Sequence, residues 1–264
     1  MRSFEACAEL VALLSPPLTL FKFPRTAHLL NLGAATEDDI VQPTSSSAFS
    51  AASLTPESQI VITEKIDGAN LGISLDSSGR ILIQNRAHWV NSKTHFQFKK
   101  LDIWVEQHRE ALTRTLGADS SFPERYVLFG EWMVCVHSIK YTRLPNRFLA
   151  FDLYDRSRKV FTSREVLEAR LEGSEVPIVP TIMRISGGPE EGAGPVMPSD
   201  EALRGMVQQP SRFYDGRVEG VYVKVEKDGI VVGRGKVVRA DFIAGNEHWT
   251  RGDLELNGVS NNQS

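Results

Sequence analysis

The run Ile60-Val61-Ile62-Thr63-Glu64-Lys65-Ile66 leads into Asp67-Gly68, and Leu71, Ile73 and Leu75 take up the same alternation a few positions later. A period of two commits both stretches to β-strand. It puts Val61, Thr63 and Lys65 on one face and Ile60, Ile62 and Ile66 on the other. Asp67-Gly68 supplies turn chemistry between them, so the segment reads as strand, hairpin turn, strand. A lysine at the end of such a strand is carried on rigid sheet, next to a turn that brings other groups close.

The same signals recur along the chain. Strands are expected at 59-66, 70-75 and 80-85, the last two joined by Asp76-Ser77-Ser78-Gly79, and again at Tyr126-Glu131 and Phe148-Tyr154. A helix is expected near 99-116, with Leu101, Val105, His108, Leu112 and Leu116 on one face. Thr162-Ser163-Arg164-Glu165 has capping-box spacing and opens a short helix through Leu171, with Gly173 as its stop. Val218-Val225 and Gly229-Val238 alternate around Lys227-Asp228-Gly229, a hairpin signal. Strands outnumber helices and hairpin-like connections dominate. The expected fold is therefore α+β, with largely antiparallel sheets and flanking helices. No Gly-x-Gly-x-x-Gly follows a strand and no Gly-Lys-Ser/Thr loop is present, which disfavours a doubly wound nucleotide fold.

Domain organisation follows from the gaps between these elements. Residues 1-43 read as an N-terminal helical and extended segment packing on the core, with Phe4, Cys7, Leu10, Val11 and Leu14 at helical spacing before Pro16-Pro17. The serine- and alanine-rich stretch 44-58 reads as a flexible loop, 59-243 as the core and 244-264 as a short tail. The 264 residues, 41% of them hydrophobic, suffice for a sizeable core. Two cysteines exclude a disulfide framework or a cysteine-rich zinc site, leaving oxygen ligands for any metal and suiting an intracellular, reducing compartment. No apolar run approaches a membrane span, and Glu5 and Glu9 interrupt the N-terminal hydrophobics as no signal peptide would.

The net charge of -3 carries no global signature of nucleic-acid binding. Locally the picture differs. Arg86, Lys93, Lys99 and Lys100 lie in a stretch without acidic residues, interleaved with His88, His95, Trp89, Phe96 and Phe98, a mixture able to hold phosphates and stack bases.

Beyond Glu64-Lys65-Ile66-Asp67-Gly68, four segments follow in order: Asn85-Arg86; Phe129-Gly130-Glu131-Trp132; Phe148-Leu149-Ala150-Phe151-Asp152; and Val218-Glu219-Gly220-Val221-Tyr222-Val223-Lys224 with Arg234-Gly235-Lys236. Together they resemble the covalent nucleotidyltransferase superfamily of ligases and capping enzymes, and most closely its RNA ligase 2-like family. Phe23-Pro24-Arg25-Thr26-Ala27-His28, His137-Ser138-Ile139-Lys140-Tyr141 and Leu144-Pro145 agree with that pattern, which covers about residues 20 to 243.

The resemblance implies a nucleotidyltransferase (adenylyltransferase) fold that uses ATP with Mg²⁺ or Mn²⁺. It implies that Lys65 attacks the α-phosphate of ATP, that AMP then passes to a 5′-phosphate RNA end, and that a 3′-hydroxyl displaces it. It places Lys236 and Arg234 on the α-phosphate, with Arg239 as an alternative in register, and Glu219 on the metal. Glu131 falls on the ribose or a metal, Phe151 on the adenine, and Arg86 on the ribose or the RNA-end phosphate. Glu64 and Asn70 are expected to contact the nucleotide, and His28 and His137 are assigned no role. Chemically, an amine with a reference pKa of about 10.4 needs cations or desolvation to become a nucleophile, and Arg234, Lys236 and Lys224 are the expected source of that field.

Only about 25 residues follow the Arg234-to-Arg239 segment, too few for a second folded domain such as related ligases add, so a protein partner in its place is one expectation. RNA ends are the expected substrate, with DNA ends, a non-catalytic RNA-end-binding module and GTP-using capping chemistry as alternatives.

Overall fold

The computed structural model describes residues 18–35, 40–42, 48–188, 190–242 and 255–260. They form two five-stranded sheets. The first has the order β1 (His28–Leu30), β10 (Ile230–Val238), β9 (Gly220–Lys227), β2 (Gln59–Lys65), β8 (Thr181–Ser186). The second has the order β4 (Ile81–Gln84), β3 (Ala69–Leu75), β5 (Tyr126–Trp132), β6 (Phe148–Asp155), β7 (Val160–Phe161). Every pairing is antiparallel except β1 with β10. The fold is thus α+β with mostly antiparallel sheets.

Period-two patterning decides which side of each sheet is covered. The outer face of the first sheet, with Ile60, Ile62, Val221, Val223, Val225 and Val237, buries Leu203 and Met206 of α4 (Asp200–Met206). On the outer face of the second sheet, Leu71, Ile73, Leu75, Leu128 and Leu153 meet three other helices. These are α1 (Leu101–Gln107), α2 (Arg109–Leu116) and α3 (Arg164–Leu171). Between the sheets, Val127, Phe129, Leu149, Phe151 and Tyr154 of the second sheet pack with Phe23, Ile66 and Val238. Burial of such side chains contributes about 1.5–3 kcal/mol each.

The structure corrects several expectations. Residues 66–68 do not close a hairpin: β2 and β3 belong to different sheets, so Asp67-Gly68 is a crossover between layers. The helix expected over 99-116 is broken at His108, whose ring lies 2.8 Å from the Trp104 carbonyl oxygen through Nδ1 and 3.1 Å from Asn146 Nδ2 through Nε2. Ser163, not Thr162, caps α3, accepting from Val166 N at 3.4 Å. The described part of 44-58 is held down by Phe49 and Leu54, both buried against the first sheet. The helix expected over 4-14 lies outside the described residues. The β9–β10 hairpin is as expected, with Asp228 and Gly229 at φ +52° and +75°, the positive pair that a type I′ turn requires.

Residues 255–260 lie along the loop that follows β5. Leu256 bridges Cys135 and Val259 bridges Leu144. Asn257 is buried there, donating through Nδ2 to the carbonyls of Met133 and Cys135 at 3.0 Å each and accepting from Tyr141 N at 2.9 Å.

Candidate active site

Register places the chemistry-bearing side chains. Lys65 pairs with Gly220, Thr63 with Tyr222 and Val61 with Lys224, while Tyr222 pairs with Lys236 and Lys224 with Arg234. Directly opposed residues share a face. Lys65, Tyr222, Lys224, Arg234 and Lys236 therefore all lie on the inner face of the first sheet. On the second sheet Asn70 pairs with Glu131, and both side chains are turned the same way.

Lys65 is the last residue of β2, and its Nζ donates to Glu219 Oε1 in an ion pair whose side chains are 16% and 3% exposed. Glu219 reaches it from just before β9, where Gly220 is needed: a Cβ there would fall 2.3 Å from the Val237 carbonyl oxygen. The Tyr222 ring centroid is 5.9 Å from Lys65 Nζ. Gly68 allows the crossover to pass close under β5, because a Cβ would meet Met133 Sδ at 2.5 Å and the Trp132 carbonyl oxygen at 3.0 Å. Asp67 fixes the crossover from both ends. Its N–H donates to Tyr141 Oη at 2.9 Å, and its Oδ2 accepts from Ser138 N at 2.6 Å and Ile139 N at 3.3 Å.

Electrostatics here differ from the sequence expectation. Burial pulls the Lys65 ammonium down, but the charge of Glu219, with Tyr222 and Asp67, outweighs it and holds the amine above its ordinary value. Arg234 and Lys224 do not act as free cations toward it. Lys224 Nζ donates to Asp152 Oδ1 and to the Phe151 carbonyl at 2.7 Å each, and Arg234 Nη1 donates to Asp152 Oδ2 at 2.9 Å, so both join the sheets, while Arg234 Nη2 is buried without a hydrogen-bond partner among the described residues. Lys236 is the expected cation that is felt at the pair, where its charge partly offsets the raising of the Glu219 carboxyl by burial.

Glu131 is half-buried with its Oε2 out of solvent, and desolvation of the carboxyl, reinforced by Glu219 and Asp67 against the opposing pull of Lys65, raises it well above the usual range. Glu131 Oε2, Glu219 Oε2 and Asn70 Oδ1 are buried polar atoms without a hydrogen-bond partner among the described residues. Such atoms are costly unless a ligand completes them. Among the described residues no group of three or more His, Cys, Asp or Glu could hold a metal. Two carboxylates with open oxygens do fit a Mg²⁺-like ion, which takes one or two carboxylates and fills its remaining positions with phosphate and water.

Other expected residues lie elsewhere. Glu64 points to the opposite face of β2, where its Oε1 accepts from Ser211 Oγ at 2.6 Å and its backbone N–H donates to Pro180 O, so its side chain is a buried structural acceptor. Phe151 is buried in the inter-sheet cluster, edge-on to Phe23 with centroids 5.3 Å apart. Arg86 is exposed in the loop after β4. Sequence reasoning passed over Tyr222, Asp152 and the grip of Asp67. Tyr222 was discoverable, since it alternates with Lys224 in Val-Tyr-Val-Lys.

The two-sheet α+β fold, with a strand-end lysine in the cleft, is that of an RNA ligase-type nucleotidyltransferase. The sequence profile of the RNA ligase family matches residues 58–238, from the start of β2 to the end of β10. The chain belongs to the RNA ligase family. Among solved structures, a Naegleria gruberi RNA ligase variant with ATP and Mn is similar at 16% identity and TM-score 0.56, over 85% of this chain and 57% of that one. The same organism's RNA ligase with pyrophosphate matches at 17% identity and TM-score 0.55, over 85% and 61%. The chain thus spans about three-fifths of the length of these relatives. No curated protein sequence matches it. Among the described residues no helix is long and apolar enough to cross a membrane.

Proposed function

We propose that this chain is an ATP-dependent RNA ligase-type adenylyltransferase in which Lys65 is the covalent nucleotide acceptor. The observation that carries the reading is the buried ion pair of Lys65 with Glu219 at the mouth of the Asp67-Gly68 crossover. An amine held protonated is inert, and its proton must leave before it can attack. Glu219 Oε1 already accepts that hydrogen bond, so it is the group placed to take the proton. The Lys65 nitrogen then forms a bond to the α-phosphorus of ATP as the bond to the bridging oxygen breaks, and pyrophosphate leaves with that electron pair.

Lys236 supports the charge developing on the phosphates; a unit pair about 4 Å apart is worth roughly 4 kcal/mol at an effective dielectric of 20. Asn70 and Glu131 offer unpartnered oxygens to the sugar or to a metal. A divalent ion, Mg²⁺ or Mn²⁺, would be held by Glu219 and Glu131 and would supply charge neutralisation. AMP passes from Lys65 to a 5′-phosphate RNA end, and a 3′-hydroxyl displaces it to seal the strand. The related structures with ATP and Mn and with pyrophosphate support the choice of nucleotide and metal class.

The test is incubation with ATP and Mg²⁺ or Mn²⁺ followed by mass spectrometry. A gain of one AMP on the Lys65 peptide is expected. No adduct on the native chain, or an unchanged adduct in Lys65→Ala, would overturn the reading, and labelling from GTP in place of ATP would point to capping-type chemistry.

A further inference from the structure

The acid-free stretch after β4 is a built surface rather than a loose loop. Asn85 Oδ1 accepts from Ala87 N at 2.9 Å and His88 N at 2.7 Å, and Asn91 Oδ1 accepts from Lys93 N at 2.9 Å. Ser92 is tied to Asp102, the first acidic residue after it. Trp132 Nε1 donates to the Gln97 carbonyl at 2.7 Å, and Val90 and Phe98 are buried beneath in the second sheet's core. Against this fixed base, Trp89 and Phe96 stand out, 38% and 40% exposed, with Lys99 Nζ 4.6 Å from the Phe96 ring centroid.

The run of cations without an acidic neighbour marks the patch. Several exposed arginines elsewhere are neutralised, as Arg80 is by Asp76, Arg109 by Glu106, Arg143 by Asp215 and Arg217 by Asp241, although Arg158 and Arg204 are exposed without an ion pair among the described residues. Arg86, Lys93, Lys99 and Lys100 are all exposed, and none makes an ion pair with a described residue. The patch also adjoins the cleft: Gln84, two residues before Arg86, pairs with Gly72, and β3 runs from there back to Asn70 opposite Glu131.

We propose that Trp89, Phe96, Arg86, Lys93 and Lys99 form a platform that binds the single-stranded RNA next to the ends being joined. Exposed aromatic rings stack bases irrespective of sequence, and unneutralised cations take the phosphates between them. The inference rests on the proposed function only for the identity of the strand.

The experiment is equilibrium binding of a fluorescent, 5′-phosphorylated single-stranded RNA of about 12 nucleotides, a length within the usual span of such sites. It is measured without ATP over a series of salt concentrations. Trp89→Ala and Phe96→Ala are each expected to weaken binding about tenfold. Lys93→Gln with Lys99→Gln is expected to make the slope of log K against log salt shallower by about 1.4. Arg204→Gln, exposed on α4 behind the other sheet, is the control and should bind as the parent does. All variants should retain Lys65-AMP formation, which shows that they are folded. Unchanged affinity and slope in the platform variants, or an equal loss in Arg204→Gln, would overturn the inference. RNA binding with these losses but no Lys65-AMP in the parent would uphold the platform while removing the catalytic reading.

Discussion

Lys224 on the first sheet and Asp152 on the second are joined by a 2.7 Å hydrogen-bonded ion pair, both side chains almost wholly buried. Arg234 shares the same carboxylate at 2.9 Å, its guanidinium carbon 4.0 Å from the Phe161 ring centroid. Asp152 thus compensates two cations across the cleft. Asp152→Ala leaves both uncompensated in the interior and is expected to lower stability by about 3–5 kcal/mol, read from urea unfolding. A loss below about 1 kcal/mol, the range of a surface pair, would show that the sheets are held by packing alone.

The Lys65–Glu219 pair predicts a reactivity. Without nucleotide, the Lys65 amine is held above the ordinary lysine pKa by the Glu219 carboxylate, against the effect of burial. Glu219→Gln removes the largest raising charge and leaves burial opposed only by the smaller pulls of Tyr222 and Asp67, so the pKa falls. Each unit of downward shift gives about ten times more free amine at pH 8. Lys65 in the variant is therefore expected to react with an amine-specific ester at least about tenfold faster, followed by peptide mass spectrometry. Equal rates would remove Glu219 as the group that stores the proton.

Glu226 predicts a pH dependence of stability. Its carboxyl is buried on the inner face of β9 and accepts from Arg164 N at 2.9 Å. Burial raises it to about 7, although Lys224 and Arg164 pull the other way. A raised folded-state pKa means that the group's contribution is fully present below its unfolded value of about 4.3 and is lost as pH rises through 7. Glu226→Gln keeps an acceptor and cannot ionise. The variant should match the parent near pH 4.5 and exceed it by about 3–4 kcal/mol at pH 8, measured by urea denaturation at both values. A difference independent of pH would mean that Glu226 does not titrate in this range.

Asn257 predicts remote control of the crossover. Its side chain holds the loop after β5 through Met133 O, Cys135 O and Tyr141 N, and Tyr141 Oη in turn accepts from Asp67 N. Asn257→Ala leaves these buried groups unpaired at about 1–3 kcal/mol for each. It is expected to speed amide exchange over 133–144 and to slow Lys65-AMP formation. Exchange unchanged over that loop would show that residues 255–260 rest on it without fixing it.

Much of the architecture was legible because period-two patterns are local. The strands at 59-66, 70-75, 126-131, 148-154 and the final hairpin lie within two residues of their observed bounds. What sequence could not reveal depends on partners distant in the chain. His28–Leu30 is too short to show a period and becomes a strand only by lying parallel to β10. Thr181–Ser186 alternates weakly because it is a half-exposed edge beside β2. At the site, the spacing around Lys65, Glu131 and Glu219 was readable, yet the engagement of Lys224 and Arg234 by one carboxylate was not. Their neutralisation depends on Asp152, 72 residues before Lys224. Glu64 was misplaced for a simpler reason: its neighbour Lys65 faces the cleft, so a strand must turn Glu64 away.

The crossover also limits how the molecule can open. Lys65 ends one sheet and Ala69 begins the other, so only three residues separate the layers at this corner. Even drawn taut, the four steps from Lys65 to Ala69 reach no further than about 14 Å. The layers are tethered beside the reactive amine, and again just before β8, where Val179 N donates to Ala150 O of β6 at 2.9 Å. Any opening of the layers has to leave these two corners in place, and the amine sits at one of them.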